Sequence, residues 1–162
     1  MSEVYFSIGT NVGKRIENLI EAVEGLQTII QHIKISDVYE TEPWGYESQE
    51  PFLNICVVGL TVLEPEKLLK KVKSLEKEIG REETFKWGPR KIDIDLLFID
   101  DLIIKKNDLE IPHQGIAERA FVLIPFMDIN SNFMHPILKK RIQELASEIG
   151  TDGVKKFEIQ PF

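Results

Sequence analysis

The stretch Lys86-Trp87-Gly88-Pro89-Arg90-Lys91-Ile92-Asp93-Ile94-Asp95-Leu96-Leu97 constrains this chain most, because three cations and an indole run straight into two aspartates. From Ile92 onward apolar and acidic residues alternate. In a β-strand side chains at i and i+2 share a face, so the pattern predicts a strand with Asp93 and Asp95 on one side and Ile92, Ile94 and Leu96 on the other. One face needs a core, and the other carries two carboxylates side by side. Like charges at that spacing repel unless something neutralises them, and the usual partner for hard oxygen ligands is Mg²⁺, itself normally bound to substrate phosphates. Just upstream, Gly88-Pro89 makes a turn, and Lys86, Arg90 and Lys91 supply donors suited to phosphate oxygens. Taken alone, the aspartates also fit a half-buried strand with a solvated acidic face.

The rest of the chain supplies a frame for that strand. Val4 to Ile8 reads as a strand ending at Gly9-Thr10-Asn11, which reads as a turn and helix start. Gly9-x-Asn11-x-Gly13 lacks both the Lys-Ser/Thr of a P-loop and the full G-x-G-x-x-G spacing. Ile16, Leu19, Ile20, Val23, Leu26 and Ile30 recur at helical intervals and predict a first helix with one apolar stripe. A strand over Ile33 to Tyr39 comes next, then a Pro- and Gly-containing loop from Glu42 to Pro51, then a long strand over Phe52 to Leu63 in which Asn54 is the odd polar member. Pro65 opens a second helix with the stripe Leu68, Leu69, Val72, Leu75 and Ile79, and Gly80 ends it. Lys73 and Glu76 share an edge of that helix facing the segment after Arg81; their ordinary reading is a solvated ion pair. After the Asp strand come a turn at Asp100-Asp101, a short hairpin strand over Leu102 to Ile104, and Ile111-Pro112-His113. Ile137, Leu138, Ile142, Leu145 and Ile149 predict a closing helix. His32 and His135 have no clustered partners and read as structural.

The order β-α-β-β-α-β, without uniform β-α alternation, predicts an α+β fold: a mainly antiparallel sheet with packed helices, on the ferredoxin-like plan. At 162 residues one core over 1–162 is expected, and no linker or repeat marks a boundary. A net charge of −7 argues against a general nucleic-acid binder, so cations must act locally, as they can at Arg81, Lys86, Arg90 and Lys91. No segment approaches the roughly 20 apolar residues of a membrane span, and the N-terminus does not read as a secretory signal. With one cysteine, Cys56 in an apolar run, a reducing cytoplasm is consistent and Cys56 is expected in the core.

Trp87-Gly88-Pro89-Arg90-x-x-Asp93-x-Asp95 is an ungapped motif of rare composition, and through it the chain resembles the 6-hydroxymethyl-7,8-dihydropterin pyrophosphokinases of folate synthesis. Gly9-Thr10-Asn11 after the first strand, Asn54, and a Pro112-His113…Arg119-x-Phe121 segment extend the resemblance in the same order from Gly9 to Phe121. It implies transfer of the terminal pyrophosphate of ATP to the hydroxymethyl group of the dihydropterin, releasing AMP. Asp93 and Asp95 would hold two Mg²⁺ ions, and Lys86, Arg90, His113, Arg119 and Arg81 would neutralise the triphosphate. Lys73, Glu76, Trp87 and Leu96 would lie near the nucleotide. For the pterin it implies stacking by Phe52 and Phe121, reading of the ring edge by Asn54 with Thr41 and Pro43, cover by Trp44 and Trp87, and contact with Asp93. The chain departs from the pattern at Glu82-Glu83-Thr84-Phe85, where some members carry a second arginine, and at Lys86, where arginine is common. A lysine offers a point charge without the bidentate fork. Two other readings are a nucleotidyltransferase, which also pairs Asp-x-Asp with Mg²⁺, and a non-catalytic ligand-sensing module on the same sheet plan.

Overall fold

The computed structural model describes residues 1–42, 49–80 and 91–162. Strand β1 (Ser2–Thr10) is followed by helix α1 (Arg15–Leu26), strands β2 (Gln31–Ile35), β3 (Tyr39–Thr41) and β4 (Phe52–Thr61), helix α2 (Pro65–Ile79), and strand β5 (Asp93–Ile99). Beyond these lie the hairpin β6 (Ile104–Lys106) and β7 (Leu109–Ile111), helices α3 (Ala120–Asn130) and α4 (Ile142–Ile149), and strand β8 (Val154–Lys156).

The main sheet runs β5-β1-β4-β3-β8, with β2 also on β4, and its pairings are antiparallel. Counting β2 and β3 as one interrupted strand, this is the ferredoxin-like order, and the expected fold class holds. Alternation in β1 sends Val4, Phe6 and Ile8 to one face, where they meet the stripes of α1 and α2 at Leu19, Val23, Leu26, Leu68, Val72 and Leu75. Tyr5 points the other way into a second apolar layer with Phe98, Phe126 and Leu145, built under α3 and α4. Tyr5 stacks on Phe126 with centroids 4.8 Å apart, and Phe98 meets Tyr5 edge-on at 6.1 Å. The sheet is therefore covered on both faces. No helix among the described residues is long and apolar enough to cross a membrane.

Several expectations are corrected. The strand expected over Ile33 to Tyr39 is two: the Ser36 N–H still donates to the Cys56 carbonyl at 2.9 Å, but the returning Cys56 N–H goes to the Ser36 Oγ at 2.9 Å, and that hydroxyl donates to the Asp37 carbonyl. Beyond that break, the Val38 N–H donates to Gln160 Oε1 at 2.6 Å and the Gln160 amide returns a bond to the Val38 carbonyl. The hairpin strand expected over Leu102 to Ile104 starts at Ile104 instead, after a turn through Asp100-Asp101. Helix α3 has no periodic signal because Ala-Phe-Val-Leu-Ile-Pro-Phe-Met is apolar almost all round and holds Pro125 inside. The closing helix begins at Ile142, not at Ile137. Ile137 and Leu138 sit in an exposed turn, their N–H groups donating to His135 Nδ1 at 3.2 and 3.1 Å.

Leu138 and Leu145 thus separate although one stripe runs through both in the sequence. Leu145→Ala removes a buried side chain and is expected to lower unfolding free energy by about 2–5 kcal/mol. Leu138→Ala, at an exposed position, should change it by no more than about 0.5 kcal/mol. Urea unfolding of both variants checks this; equal losses would place Ile137 and Leu138 back on the helix.

Candidate functional site

The site lies where three strands of the sheet carry matching residues across one row. Antiparallel pairing sets Gly9 opposite Asn54 on one side and opposite Asp93 on the other, so Asn54, Gly9 and Asp93 share a face. The next row of that face is Cys56, Ser7 and Asp95. Leu97 then interrupts β5: Phe6 pairs with Leu96 but Tyr5 with Phe98, so one extra residue is inserted. Such a bulge re-aims the side chains beyond it, and Phe98 joins Tyr5 in the apolar layer while the two aspartates stay on the open part of the same face.

Among the described residues Asp95 is the carboxylic acid with the strongly shifted pKa. Burial, and next the neighbouring charge of Asp93, push its pKa up to about 7, while Arg119 and Lys73 pull against this without cancelling it. His113 Nε2 and Arg119 Nη1 each stand 4.0 Å from Asp95 Oδ2. The segment carrying His113 is fixed by its own N–H, which donates to the Leu97 carbonyl on β5 at 3.0 Å. His113 Nδ1 accepts the Gly115 N–H at 3.2 Å, which leaves the proton of the neutral ring on Nε2. Burial, and then the charge of Arg119, hold the His113 pKa below its ordinary value. At pH 7 it therefore offers a neutral donor to the cleft, and among the described residues the cations acting on Asp95 are Arg119 and Lys73. Arg119 lies flat over Gly115, where an added Cβ would meet its Nε at 2.7 Å.

These side chains line a cleft of about 500 Å³ bounded by Leu69, Lys73, Asp95, Leu96, Glu110 and Arg119, among others. Lys73, Leu96, His113 and Arg119, named from the sequence for the nucleotide, and Asp95, named for the metal, all border it. Glu76 differs from its ordinary reading. Its side chain is only 2% exposed, with Oε1 3.3 Å from Lys73 Nζ and Oε2 accepting the Ile94 N–H at 2.7 Å. A buried carboxylate thus grips β5 between the two aspartates and holds Lys73 at the cleft wall. The β6–β7 hairpin wall, with Asp108, Leu109, Glu110 and Ile111, is not singled out by the sequence, because short strands of mixed polarity carry no motif.

On the other side of the row, buried Asn54 donates from Nδ2 to Thr41 Oγ1 at 2.7 Å. Phe52, two residues before Asn54, shares its face and is half-buried. Phe121 opens α3, with the Arg119 guanidinium 5.9 Å from its ring centroid. The next residue, Val122, ties α3 to the sheet by accepting from Cys56 Sγ. Three further residues hold this half together and have no role assigned from sequence. Asn11 Nδ2 donates to Gln49 Oε1 at 2.6 Å and to the Glu50 carbonyl at 3.0 Å. Arg15 Nη1 donates to the Pro51 carbonyl at 2.8 Å and to Glu40 Oε2 at 2.9 Å. Thr10 donates from its hydroxyl to the Lys91 carbonyl, two residues before Asp93. The Gly-Thr-Asn signal is visible in the chain, but its partners lie far away in sequence. Pro43, Trp44, Arg81, Lys86, Trp87 and Arg90 lie outside the described residues.

The donor set fits Mg²⁺. Among the described residues no three His, Cys, Asp or Glu side chains gather as a closed metal cage, and what Asp93 and Asp95 offer is a pair of hard oxygen donors on one strand. Mg²⁺ is commonly held by one or two carboxylates, with water and phosphate oxygens completing its shell. The raised Asp95 pKa comes from burial first and from the neighbouring Asp93 charge second, both of which a bound cation would offset.

That shift has a pH dependence with a definite sign. The folded chain binds a proton on Asp95 at higher pH than the unfolded chain does, so stability falls as pH rises from the ordinary carboxylate range to about 7. Asp95→Asn removes the effect. Without Mg²⁺ or nucleotide, its gain in thermal midpoint over the parent should be small near pH ~4, grow with pH, and level off above ~7. A gain that is constant with pH, measured by scanning calorimetry, would contradict this origin of the shift.

Comparison with known proteins bears on what the arrangement is for. The family model for 7,8-dihydro-6-hydroxymethylpterin-pyrophosphokinase (HPPK) matches residues 5–131. A 2-amino-4-hydroxy-6-hydroxymethyldihydropteridine pyrophosphokinase of Aquifex aeolicus is 44% identical over 148 residues, covering 91% of this chain and 92% of that one. The folic acid synthesis protein FOL1 of Dictyostelium discoideum is 43% identical over 135 residues, covering 83% of this chain but only 20% of that much longer protein. Among solved structures, a Plasmodium falciparum HPPK-DHPS superposes over 98% of this chain with a TM-score of 0.80 at 19% identity. The chain spans 48% of that protein, and at this identity the likeness speaks to the fold. With the motif, the sheet order and the family model in agreement, this chain belongs to the 7,8-dihydro-6-hydroxymethylpterin-pyrophosphokinase family.

Proposed function

We propose that the chain transfers the terminal pyrophosphoryl group of Mg-ATP to the hydroxymethyl oxygen of 6-hydroxymethyl-7,8-dihydropterin, with the nucleotide in the Lys73–Arg119 cleft and the pterin over Asn54. The observation that carries this assignment is the single row in which Asn54 and Asp93 flank Gly9 on adjacent strands. It sets a hydrogen-bonding amide and a carboxylate suited to a hard cation on the same face of the sheet, with one strand between them. In the reaction the substrate oxygen forms a bond to the β-phosphorus and loses its proton, the bond from that phosphorus to the α,β-bridging oxygen breaks, and AMP leaves with that oxygen. Two Mg²⁺ ions, when bound, would lower the charge on the phosphates and draw the attacking hydroxyl into line.

The chain's own residues then have mainly positional and electrostatic work, which dominates such transfers. Asp93 and Asp95 hold the cations, and Arg119 and Lys73 add fixed positive charge along the triphosphate. His113 donates its Nε2–H to a phosphate oxygen without adding charge. Leu96 and Leu69 give the nucleoside an apolar wall. Phe52 and Phe121 bracket the pterin, where stacking is worth about 0.5–1.5 kcal/mol per pair beyond buried area. Asn54, its amide group held by Thr41, reads the ring edge. Arg81, Lys86 and Arg90 would complete the phosphate clamp, with Pro43, Trp44 and Trp87 on the pterin side. The buried thiol of Cys56 suits a reducing cytoplasm.

Incubation with Mg-ATP and the dihydropterin should yield AMP in step with a pyrophosphorylated pterin and no free pyrophosphate. ADP would mark an ordinary kinase, and pyrophosphate release with an adenylylated acceptor a nucleotidyltransferase. Asp93→Ala should abolish turnover while the chain stays folded; near-native turnover would overturn the metal assignment. Asn54→Ala leaves ligand polar groups unpaired and should weaken pterin binding at least tenfold more than nucleotide binding, as titration calorimetry with each ligand can read.

A further inference from the structure

Ser7 lies on β1 between Cys56 of β4 and Asp95 of β5, and the three side chains share one face of the sheet. It is only 5% exposed, and among the described residues its hydroxyl makes no hydrogen bond. A buried hydroxyl is ordinarily paired, because taking it out of water without a replacement bond costs stability. A small apolar side chain would fill the same position without that cost. Asp95 has the matching deficit. His113 Nε2 and Arg119 Nη1 stand 4.0 Å from its Oδ2, beyond hydrogen-bond reach, and no described residue donates a hydrogen bond to either of its oxygens. An unused donor therefore faces an unused acceptor on the neighbouring strand. Directly opposite residues of an antiparallel pair have Cβ atoms about 4.5–5.5 Å apart, a gap that a hydroxyl and a carboxylate close by rotating about their side-chain bonds. Cys56, on the other flank, is no rival acceptor: a thiol sulfur accepts weakly, and its own proton goes to the Val122 carbonyl at 3.4 Å.

We infer that Ser7 is a positioning residue for the cation: with a metal ion on one oxygen of Asp95, the Ser7 hydroxyl donates to the other oxygen and fixes the plane of the carboxylate. Carboxylates that ligate metals are themselves hydrogen-bonded as a rule, and that bond orients the lone pair the metal uses. Glu76 already holds the backbone of β5 at the Ile94 N–H, one residue before Asp95. A backbone brace leaves the side chain free to turn, and the hydroxyl of Ser7 removes that freedom. Ser7 does not border the nucleotide cleft and so reaches the nucleotide only through Asp95. The inference rests on the proposed role of Asp95 as a Mg²⁺ ligand.

The test is Ser7→Ala, which nearly keeps the volume of the position and removes the donor. Titration calorimetry of parent and variant with the α,β-methylene analogue of ATP, once with Mg²⁺ and once with a chelator in its place, reads the gain in affinity that the cation gives. That gain should fall about tenfold in the variant, while affinity for the metal-free analogue stays within about twofold. Without ligands the thermal midpoint should hold or rise, since a buried unpaired hydroxyl has been removed. An undiminished Mg²⁺ gain overturns the inference, and so does a lowered midpoint with equal losses for both forms of the analogue, which is the result of a merely structural serine. Should Ser7→Ala not fold, Ser7→Thr and Ser7→Val compare two side chains of one shape that differ in the hydroxyl. The threonine variant should keep a Mg²⁺ gain at least about fivefold larger than the valine variant, and equal gains overturn the role of Ser7. A parent chain that binds the analogue no better with Mg²⁺ than without it overturns the metal assignment itself, a different failure from a parent that gains affinity and a variant that gains as much.

Discussion

The antiparallel ladder of β1 is the constraint on which the rest depends. Nine consecutive pairings to β4 and six to β5 lock three strands into one parity, and a slip of one residue would turn every side chain to the opposite face. Hydrophobic burial enforces that parity from both sides. Val4, Phe6 and Ile8 must face α1 and α2, and Tyr5 must face α3. Once the core has decided this, Ser7, Gly9, Asn54, Cys56, Asp93 and Asp95 have no choice of face. The site is thus a by-product of core registration, continued past the point where the covering helices stop.

Much of this is legible in the chain. Both helical stripes on the first face, the Pro65 start and the left-handed Gly80 end of α2 come from local signals that act within a turn. Alternation from Ile92 gives the shared face of the aspartates, because period-two patterning depends only on the strand itself. What fails to show is non-local or aperiodic. Helix α3 is greasy all round, so it has no stripe. The break at Ser36 arises from a hydroxyl satisfied by a strand 20 residues away. Ile137 and Leu138 mimic helical spacing, while the decisive event is a buried histidine ring collecting their two N–H groups.

At the site, residue types are readable and their mode of action less so. Composition and motif point to Lys73, Asp95, His113 and Arg119, but burial decides that His113 works as a neutral donor and that Asp95 holds its proton unusually high. Glu76 is the clearest case. Spacing from Lys73 is visible, whereas its second oxygen is committed to a backbone N–H that only the tertiary fold brings near. A solvated pair at helical spacing contributes about 0.3–0.5 kcal/mol; a buried carboxylate satisfied from two sides fixes geometry instead.

The same contact bears on how the molecule behaves in a crowd. β5 is an outermost strand of the main sheet, and a free edge offers N–H and C=O groups that can template a strand from another molecule. Here the outward N–H of Ile94 is taken by Glu76, and the Leu97 carbonyl by the His113 N–H. The groups that brace the reaction centre thereby interrupt the row that edge-to-edge aggregation would need, so that loosening the site also uncovers an adhesive edge.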